Sequence, residues 1–310
     1  MIRVDLPGLM TTVQDIGREG FGPLGVSASG AADPIALRIG NRLLGNPEGA
    51  AALELTLVGG SFGFETDTWI AITGSDFGAE LDGEPVATGV VRQVHEGQSL
   101  RMRATQAGAR CYLCVSGGID VPLVLGSAST HVLSALGGFN GRALRKGDTL
   151  RTGPCRPPAA KRLDPTIVER LAPRRRLRVT EGLQSDWFTE GSQRAFLETS
   201  FEVTEASDRM GLRLKGCVIE SVSQAEMITT GVALGAVQVP PGGQPVIVFV
   251  EQQTTGGYPV IGNVIAADLA SVGQLRPRDR VQFELASHGA ARALLLEQQA
   301  LLTSDQLLLS

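Results

Sequence analysis

The stretch 251–262, "EQQTTGGYPVIG", concentrates polar side chains beside two glycines and a Tyr-Pro pair. Neutral hydrogen-bond donors and acceptors come from Gln252, Gln253, Thr254, Thr255 and Tyr258. There is no obvious general base among them. Gly256-Gly257 allows the backbone to approach a ligand closely or to adopt positive φ. A turn that merely joins two strands is the alternative. We favour a site that binds a small amide or carboxylate, because a bend alone needs neither the threonines nor the glutamines.

Three other stretches gather polar residues. In "TTVQDIGREGFG" (11–22), Asp15 and Arg18 lie among glycines, as they would in an exposed loop with a surface ion pair. In "GVSASGAADP" (25–34), Ser29 and Gly30 precede a helix start at Asp33, where free N–H groups can hold an anion. Capping of the helix by Asp33 is the simpler explanation of that pattern. In "ASDRMGLRL" (206–214), Asp208 and Arg209 flank a turn, and the aspartate can serve as a cap.

Several common catalytic devices are missing from the sequence. It contains neither G-x-x-x-x-G-K-[ST] nor G-x-S-x-G, and its 3 histidines are scattered, so we expect neither a Walker-type phosphate loop nor a Ser-His-Asp triad. Cys111 and Cys114 form a C-x-x-C inside the apparent strand "RCYLCVSGG", where residues three apart face opposite sides. We therefore expect these cysteines to be reduced packing residues, and we expect no metal site.

The elements that position these residues are predicted to be mainly strands. Turn signals recur every eight to twelve residues or so, which is typical of barrels and sandwiches. "LDGEPV" carries an Asp-Gly pair typical of a tight hairpin. One helix is predicted after Asp33, with Pro34 in its first turn and Gly45-Asn46-Pro47 ending it. Its buried stripe is expected to consist of Ile35, Ile39 and Leu43.

Three short matches recur in the same order in the two halves of the chain. They are "DPIALRI" (33–39) with "DRMGLRL" (208–214), "VSGGIDVP" (115–122) with "TTGGYPVI" (254–261), and "LRKGDTL" (144–150) with "LRPRDRV" (275–281). Their common order predicts an internal duplication. The proline-rich, charged stretch 153–176 is typical of a linker. We therefore predict two related β-barrel domains with a few short helices, at 1–155 and 175–285, and a helical tail at 286–310.

Composition narrows the class of protein. The 310 residues carry a formal net charge of −4 with scattered Lys and Arg, so neither a nucleic-acid nor a membrane partner is expected. No apolar run approaches the ~18–20 residues of a membrane span, and "MIRVDLPGLM" lacks the pattern of a secretory signal. We expect a cytoplasmic protein.

Seven blocks together resemble the C subunit of prokaryotic 5-oxoprolinase. The blocks are "TTVQDIGREGFG", "GVSASGAADPIALRIGNRLLGN", "ALELTL", "VSGGIDVPLVLGSAST", "LGGFNGRALRKGD", "SDRMGLRL" and "QTTGGYP...ADL". This family is also described as the kinase A inhibitor antagonist, the allophanate hydrolase subunit 2 type or the biotin-dependent carboxyltransferase-like domain.

The resemblance implies two cyclophilin-like β-barrel domains. It also implies two partners, the cyclophilin-like B subunit and the A subunit of 5-oxoprolinase, with which the complex opens the lactam of 5-oxoproline to L-glutamate using ATP. No biotin attachment sequence is recognised in this chain. Two alternatives remain open: a partner of the B subunit that regulates a histidine kinase inhibitor without chemistry of its own, and a carboxyltransferase-like component that acts on a small amide of the urea or allophanate type.

The family blocks assign candidate site residues by position. The expected catalytic residues are Asp15, Thr255, Tyr258 and Asp268. The expected substrate-binding residues are Arg18, Ser29, Gly30, Asp33, Asn41, Asp208, Arg209, Gln253, Thr254, Gly256 and Gly257, and Glu54 also lies in a family block. The hypothesis is that the turn 253–258 binds the amide together with Asp268, and that Asp15 and Arg18 belong to the pocket or to the contact with the B subunit.

The sequence departs from the family pattern at a position next to the candidate turn. The family usually carries a basic residue after "GGYP", where this chain has Val260. This departure indicates either a different amide substrate or a cation supplied from another position.

Overall fold

The computed structural model describes residues 1–222 and 227–310, which form a mainly β protein. They divide into two compact units. Unit 1 contains 1–18, 29–172 and 300–310, and unit 2 contains 19–28 and 173–299. The division between Ala172 and Pro173 falls inside the predicted linker. The sequence did not predict that 19–28 would group with the second unit, or that 286–310 would be shared between the units.

Unit 1 is built from short strands and two helices. Its first strands are β1 (Ile2–Leu6), β2 (Met10–Gln14), β3 (Ala52–Thr56), β4 (Ser61–Phe64), β5 (Thr68–Gly74), β6 (Glu80–Leu81) and β7 (Glu84–Pro85). They are followed by β8 (Val91–Val94), β9 (Ser99–Arg101), β10 (Arg110–Val115), β11 (Ile119–Asp120), β12 (Thr149–Thr152) and β13 (Arg162–Leu163). The helices are α1 (Pro34–Leu43) and α2 (Pro165–Arg170).

Two sheets share one hydrophobic core in unit 1. Seven described strands pair in the order β11-β12-β1-β4-β9-β6-β7, and five pair in the order β2-β3-β10-β5-β8. Val4 and Phe62 from the first sheet lie in the same apolar cluster as Leu53, Ile72 and Leu113 from the second, and all five are fully buried or nearly so. Burial of apolar surface between the two sheets is therefore the main stabilising term in this unit.

Helix α1 confirms the sequence prediction closely. Asp33 caps it by accepting a hydrogen bond from the Ala36 backbone N–H at 2.9 Å, and Pro34 is its first residue. Ile35, Ile39 and Leu43 are buried as expected. The predicted hairpin is also present, because Asp82 and Gly83 join β6 to β7 with φ values of 48° and 89°.

Unit 2 is organised around a closed barrel. Its strands are β14 (Arg176–Glu181), β15 (Phe201–Val203), β16 (Gly211–Lys215), β17 (Thr230–Gly231), β18 (Ala236–Gln238), β19 (Val246–Val248), β20 (Thr255–Gly256), β21 (Val260–Val264) and β22 (Arg280–Leu285). Its helices are α3 (Glu190–Glu198) and α4 (Leu269–Gly273), and α5 (His288–Thr303) begins in this unit and ends in unit 1. In the described chain the barrel order is β14-β21-β18-β19-β16-β15-β22, and β17 pairs only with β20. The barrel predicted for the second half is therefore confirmed.

Aromatic packing contributes to the core of unit 2. The Phe196 ring of α3 stacks on the Phe283 ring of β22 with centroids 4.4 Å apart, and Phe201 of β15 is tilted against both. Offset aromatic pairs of this kind contribute about 0.5–1.5 kcal/mol beyond their buried area. They attach α3 to the strand that closes the barrel.

The three repeated sequence matches have different outcomes. Residues 33–39 form the start of a helix, whereas 208–214 form a turn and strand β16, so the first match does not correspond in structure. In the second, Gly117-Gly118 forms a positive-φ turn, whereas Gly256 ends strand β20. The internal duplication as a whole stays a prediction.

The third match, 144–150 with 275–281, forms the same kind of turn in both halves of the chain. Asp148 accepts from the Arg145 N–H, and Asp279 accepts from the Arg276 N–H, each at 2.7 Å. The residue before each aspartate has positive φ, 89° at Gly147 and 72° at Arg278. Of the three matches, this one is therefore shared by the two halves at the level of the backbone.

The linker and the tail both contain regular structure. The stretch 153–176 holds β13 and helix α2, which Asp164 caps by accepting from the Thr166 N–H at 2.8 Å. The predicted C-terminal helix is α5, and it is followed by β23 (Leu308–Leu309), which pairs with β13. None of the helices in the described residues is long and apolar enough to span a bilayer.

Candidate functional site

A cavity of about 170 Å³ in unit 2 collects several of the predicted site residues. Its polar lining consists of Asp208, Arg213, Gln238, Gln253, Thr255 and Tyr258, and its apolar lining of Met210, Gly211, Val232, Pro240, Val246 and Val248. A space of this size accommodates a small metabolite.

Three neighbouring barrel strands form one wall of this cavity. Arg213 of β16 and Gln238 of β18 are both directly opposite Val246 of β19. Directly opposed residues in antiparallel strands project to the same side of the sheet. The alternate residues Leu212 and Leu214 are buried at 5% and 2% exposure, so the core holds the other face and Arg213 must point outward.

The short ribbon formed by β17 and β20 adjoins this wall. A Cβ atom on Gly256 would lie 2.7 Å from Nε2 of Gln238 and 2.9 Å from a Val232 methyl carbon. The Gln238 Nε2 also donates to the Tyr258 carbonyl at 3.4 Å. Glycine at 256 therefore permits close approach of the ribbon to the barrel wall.

Four predicted residues line the cavity together: Asp208, Gln253, Thr255 and Tyr258. The carboxylate of Asp208 is oriented by its own turn, because its Oδ1 accepts from the backbone N–H groups of Met210 at 2.8 Å and Gly211 at 3.1 Å. The predicted binding residues Thr254, Gly256 and Gly257 belong to the same segment without lining this space. Gly257 lines a neighbouring cavity of about 700 Å³, and Tyr258 lines both cavities.

Sequence reasoning missed two polar residues of the lining, Arg213 and Gln238. Arg213 lies in the block "DRMGLRL", which attracts notice because it resembles residues 33–39. The signal that identifies it is the alternation Leu212, Arg213, Leu214, Lys215, which predicts an outward-facing cation once the block is assigned as a strand rather than a helix. No local pattern marks Gln238, because strand pairing brings it to the site.

Two residues of unit 2 that were expected at the site are held elsewhere. Arg209 is 4% exposed and its Nε donates to a carboxylate oxygen of Glu251. Asp268 is 1% exposed and accepts from the backbone N–H of Arg178 at 2.8 Å and from its Nε at 3.0 Å. Asp268 does not line the cavity of the 253–258 turn, so the expected grouping of the two differs from the structure. The reason is that the carboxylate is bound in a buried ion pair.

Asp15 of unit 1 is the centre of a buried hydrogen-bond cluster rather than part of an exposed loop. Its Oδ1 accepts from the hydroxyls of Ser127 and Ser129 and from the Gly17 N–H, and its Oδ2 accepts from the Ala128 N–H at 2.7 Å. We call this set, residues 15, 17 and 127–129, the Asp15 clasp. The contacts give Asp15 a structural role, and its part in a reaction stays a prediction.

The neighbouring predicted residues are bound to the same segment of chain. Arg18 is 2% exposed and its guanidinium donates to the Ser129 carbonyl, so the expected surface ion pair is not what holds it. The Ser29 hydroxyl donates to the Thr130 carbonyl at 3.1 Å. Gly30 has φ of 92°, and a Cβ there would lie 2.9 Å from the Gly17 nitrogen. Close backbone approach therefore explains this glycine.

The remaining first-half residues fix the entry and the end of helix α1. Glu54 is 1% exposed and accepts from the Ala32 N–H at 2.8 Å and from the Tyr112 hydroxyl at 2.7 Å. The same hydroxyl accepts from the Asp33 N–H at 2.8 Å. Burial, together with the negative charges of Glu54 and Asp33, raises the pKa of Tyr112 well above its usual value. The tyrosine is therefore a neutral hydrogen-bonding group.

At the other end of the helix, the Asn41 side-chain amide donates to the carbonyls of Glu48 and Ala50. The two C-x-x-C cysteines lie on strand β10, as expected. Burial raises the pKa of Cys111 well above that of a free thiol and that of Cys114 to about 12. Neither thiol is therefore activated as a nucleophile. Among the described residues, no group of three or more His, Cys, Asp or Glu is arranged to hold a metal ion.

Comparison with known proteins gives a consistent result. The profile of the family described as "Carboxyltransferase domain, subdomain A and B" matches residues 24–285. The chain is 41% identical to the 5-oxoprolinase C subunit of Escherichia coli, over 89% of this chain and 88% of that protein. It is 38% identical to the 5-oxoprolinase C subunit of Haemophilus influenzae, again over 89% and 88% of the two chains.

The fold is also found in a larger enzyme. The crystal structure of the K. lactis urea amidolyase superimposes with a TM-score of 0.91 and 32% identity, covering 99% of this chain and 20% of that chain. The present chain thus spans about a fifth of that enzyme's length. From the profile match and the extent of these identities, the chain belongs to the carboxyltransferase A/B domain family and is a relative of the 5-oxoprolinase C subunit.

Proposed function

We propose that this chain is the C subunit of an ATP-dependent 5-oxoprolinase, which opens 5-oxoproline to L-glutamate together with the A and B subunits. The observation that carries this proposal is the 41% identity to the E. coli protein over 89% of this chain and 88% of the relative. A match of nearly the whole length of both proteins supports the same role in a complex, rather than a shared domain within a different protein.

The cavity of unit 2 supports the binding of a small lactam. In the proposed reaction the lactam C–N bond breaks, and water supplies a hydroxyl to the carbonyl carbon and a proton to the nitrogen. Thr255 and Tyr258 bring hydroxyl groups to the cavity, and Gln238 and Gln253 bring amides. Such groups bind and orient a lactam carbonyl and its N–H. They supply no group that is basic near pH 7, so we assign part of the chemistry to the partner subunits.

ATP is proposed to bind elsewhere in the complex. This proposal is supported by the sequence, which carries no Walker-type loop for the phosphates of a nucleoside triphosphate. The role of this chain is then to hold the lactam, while the free energy of ATP hydrolysis drives the opening of the ring.

The test is ATP-dependent release of glutamate from 5-oxoproline by the chain co-purified with candidate A and B subunits. We expect activity that is lost when this chain is omitted. The pair of substitutions Thr255→Val and Tyr258→Phe should abolish turnover and leave assembly and thermal unfolding unchanged. Thr180→Val is the matched control, because Thr180 is on barrel strand β14 outside the cavity lining, and it should retain activity.

Two results would contradict the proposal. An assembled complex that contains all three proteins but releases no glutamate would exclude the oxoprolinase activity. Turnover that persists in the Thr255 and Tyr258 double variant would exclude the cavity as its site.

A carboxyltransferase-like component that acts on a small amide is the second candidate. It is favoured by the TM-score of 0.91 to the K. lactis urea amidolyase over 99% of this chain. The same purified assembly, supplied with urea, bicarbonate, ATP and a biotinylated carrier protein, distinguishes the two candidates. Urea-dependent consumption of ATP without activity on 5-oxoproline would favour this second function.

A further inference from the structure

We propose that Arg213 binds the substrate carboxylate in the unit 2 cavity and that Asp208 accepts a hydrogen bond from the substrate N–H. The site is then selective for a lactam that carries an acid group. This inference deepens the proposed function and depends on it for the identity of the ligand. It is based on the placement of the two charged groups and on the hydrogen bonds that each of them makes.

The row of residues across the barrel wall places Arg213 at one end of a neutral surface. From β16 through β19 and β18 to β21, the directly opposed residues are Arg213, Val246, Gln238 and Val260. Since neighbouring strands lie about 4.8 Å apart, the row is roughly 14 Å long. Val260 adds no charge at its far end, so Arg213 is the cation of this row.

The guanidinium of Arg213 is available for a ligand. Among the residues that the structure describes, its side chain makes no hydrogen bond and no ion pair, although the side chain lines the cavity. Arg209, four residues earlier, is in contrast paired with Glu251. A free guanidinium presents a planar set of N–H donors that matches a carboxylate with two parallel hydrogen bonds.

Asp208 complements this cation without neutralising it. Its Oδ1 is occupied by the Met210 and Gly211 N–H groups, and Oδ2 has no hydrogen-bond donor among the described residues. Within that same part of the chain, no ion pair within 4.0 Å joins Asp208 to Arg213. A cavity with one free cation and one separate carboxylate acceptor favours a ligand that offers an anion and an N–H donor at different points.

The neutral polar groups of the cavity suit the rest of such a molecule. Gln238 lies two positions from Arg213 in the row, and Gln253 and Thr255 also line the cavity. A five-membered lactam with a carboxylate has the anion, the N–H and the carbonyl that these groups would recognise. Neutral amides such as urea lack the anion and form no ion pair with Arg213, so they gain less binding free energy from this residue.

The test compares 5-oxoproline with its carboxamide, in which a neutral amide group of similar size replaces the carboxylate. In the assembled complex, Arg213→Met should raise the KM for 5-oxoproline by about 10- to 100-fold, because a charged hydrogen-bond pair is lost, with little change in kcat. The KM for the carboxamide should change less than about twofold. The control is Lys215→Met, which removes the same charge from the same strand outside this cavity's lining and should leave both KM values unchanged.

An equal rise in KM for both compounds in Arg213→Met would overturn the inference, because the residue would then be shaping the cavity rather than binding the acid. Unchanged KM values would overturn it too, while leaving the oxoprolinase activity established. If the wild-type complex is inactive, the proposed function fails by itself. Calorimetric titration of the full chain with both compounds then tests Arg213 separately, and equal affinity for acid and carboxamide in the wild type would refute its assignment.

Discussion

Replacement of Asp15 by asparagine tests whether the Asp15 clasp stabilises unit 1. The variant keeps the shape of the side chain but replaces the Oδ2 acceptor by an amide N–H group, which then faces the Ala128 N–H. It also removes the charge that strengthens the bonds from Ser127, Ser129 and Gly17. A buried donor without an acceptor costs about 1–3 kcal/mol, and hydrogen bonds to charged groups are worth about 1.5–3 kcal/mol each.

We therefore expect Asp15→Asn to lower the free energy of unfolding by about 3 kcal/mol, allowing for partial retention of the serine bonds. For a unit of this size the corresponding drop in Tm is roughly 6–12 °C. Differential scanning calorimetry and urea unfolding both measure the effect. The matched control is Asp5→Asn, because Asp5 pairs with Arg3 at 2.8 Å on the surface, with side-chain exposures of 34% and 53%. It should change stability by less than about 0.5 kcal/mol.

The reasoning would be refuted if Asp15→Asn melted within about 2 °C of the wild type, as the Asp5 control should. Glutamate release by the assembled complex then shows whether Asp15 also takes part in the reaction. A variant of normal stability that no longer releases glutamate would give Asp15 a part in the reaction. A destabilised variant that is still active at low temperature would show that Asp15 has only a structural role in the Asp15 clasp.

Two more predictions concern ion pairs. Arg142 donates two hydrogen bonds to Asp148, at 2.7 and 2.9 Å, and these bonds lower the pKa of the Asp148 carboxyl. The stabilisation from this ion pair is therefore fully present above the unfolded-state pKa of ~3.9, and it is lost as the pH falls through the folded-state pKa. Urea unfolding should show Asp148→Asn to be about 1–3 kcal/mol less stable than the wild type at pH 7, and this difference in unfolding free energy should narrow below about pH 4. A difference that widens on acidification would contradict this prediction. Arg178→Met leaves the carboxylate of Asp268 buried without its cation and should lower the free energy of unfolding by about 3–5 kcal/mol. The control is Arg176→Met on the same strand, where the side chain is 61% exposed, and it should lower the free energy of unfolding by less than about 0.5 kcal/mol. Equal effects of these two arginine variants would show that burial of Asp268 is not the source of the cost.

Local chemistry explains which parts of the fold were predictable from the sequence. The cap at Asp33, the proline that follows it and the buried stripe of α1 are all encoded within about ten residues of one another. Asp208 shows the limit of this reasoning. Like Asp33, it accepts a hydrogen bond from the backbone N–H three residues later, yet its turn continues into a strand. Pairing of Gly211 with Val248 on β19 decides that outcome, and such pairing is invisible in a short window.

Only part of the candidate site was predictable from the sequence. Asp208, Gln253, Thr255 and Tyr258 were singled out by type and meet in one cavity. Arg213 and Gln238 join them through two strand pairings with Val246, which depend on barrel closure rather than on neighbouring residues. Asp268 lies outside this cavity, because the buried ion pair with Arg178 holds its carboxylate, and its part in a reaction stays a prediction.

Closure of the unit 2 barrel has a consequence for synthesis of the chain. Strand β22 pairs in parallel with β14 and antiparallel with β15, and Arg176 lies 106 residues before its partner Gln282. Until residues 280–285 have left the ribosome, β14 and β15 each lack one neighbour and expose an unpaired strand edge, which is a template for aggregation. Since translation proceeds at about 5–20 residues per second, these edges are exposed for roughly 5–20 seconds in each new molecule. Strand β22 therefore completes the barrel and removes both exposed edges in a single late step.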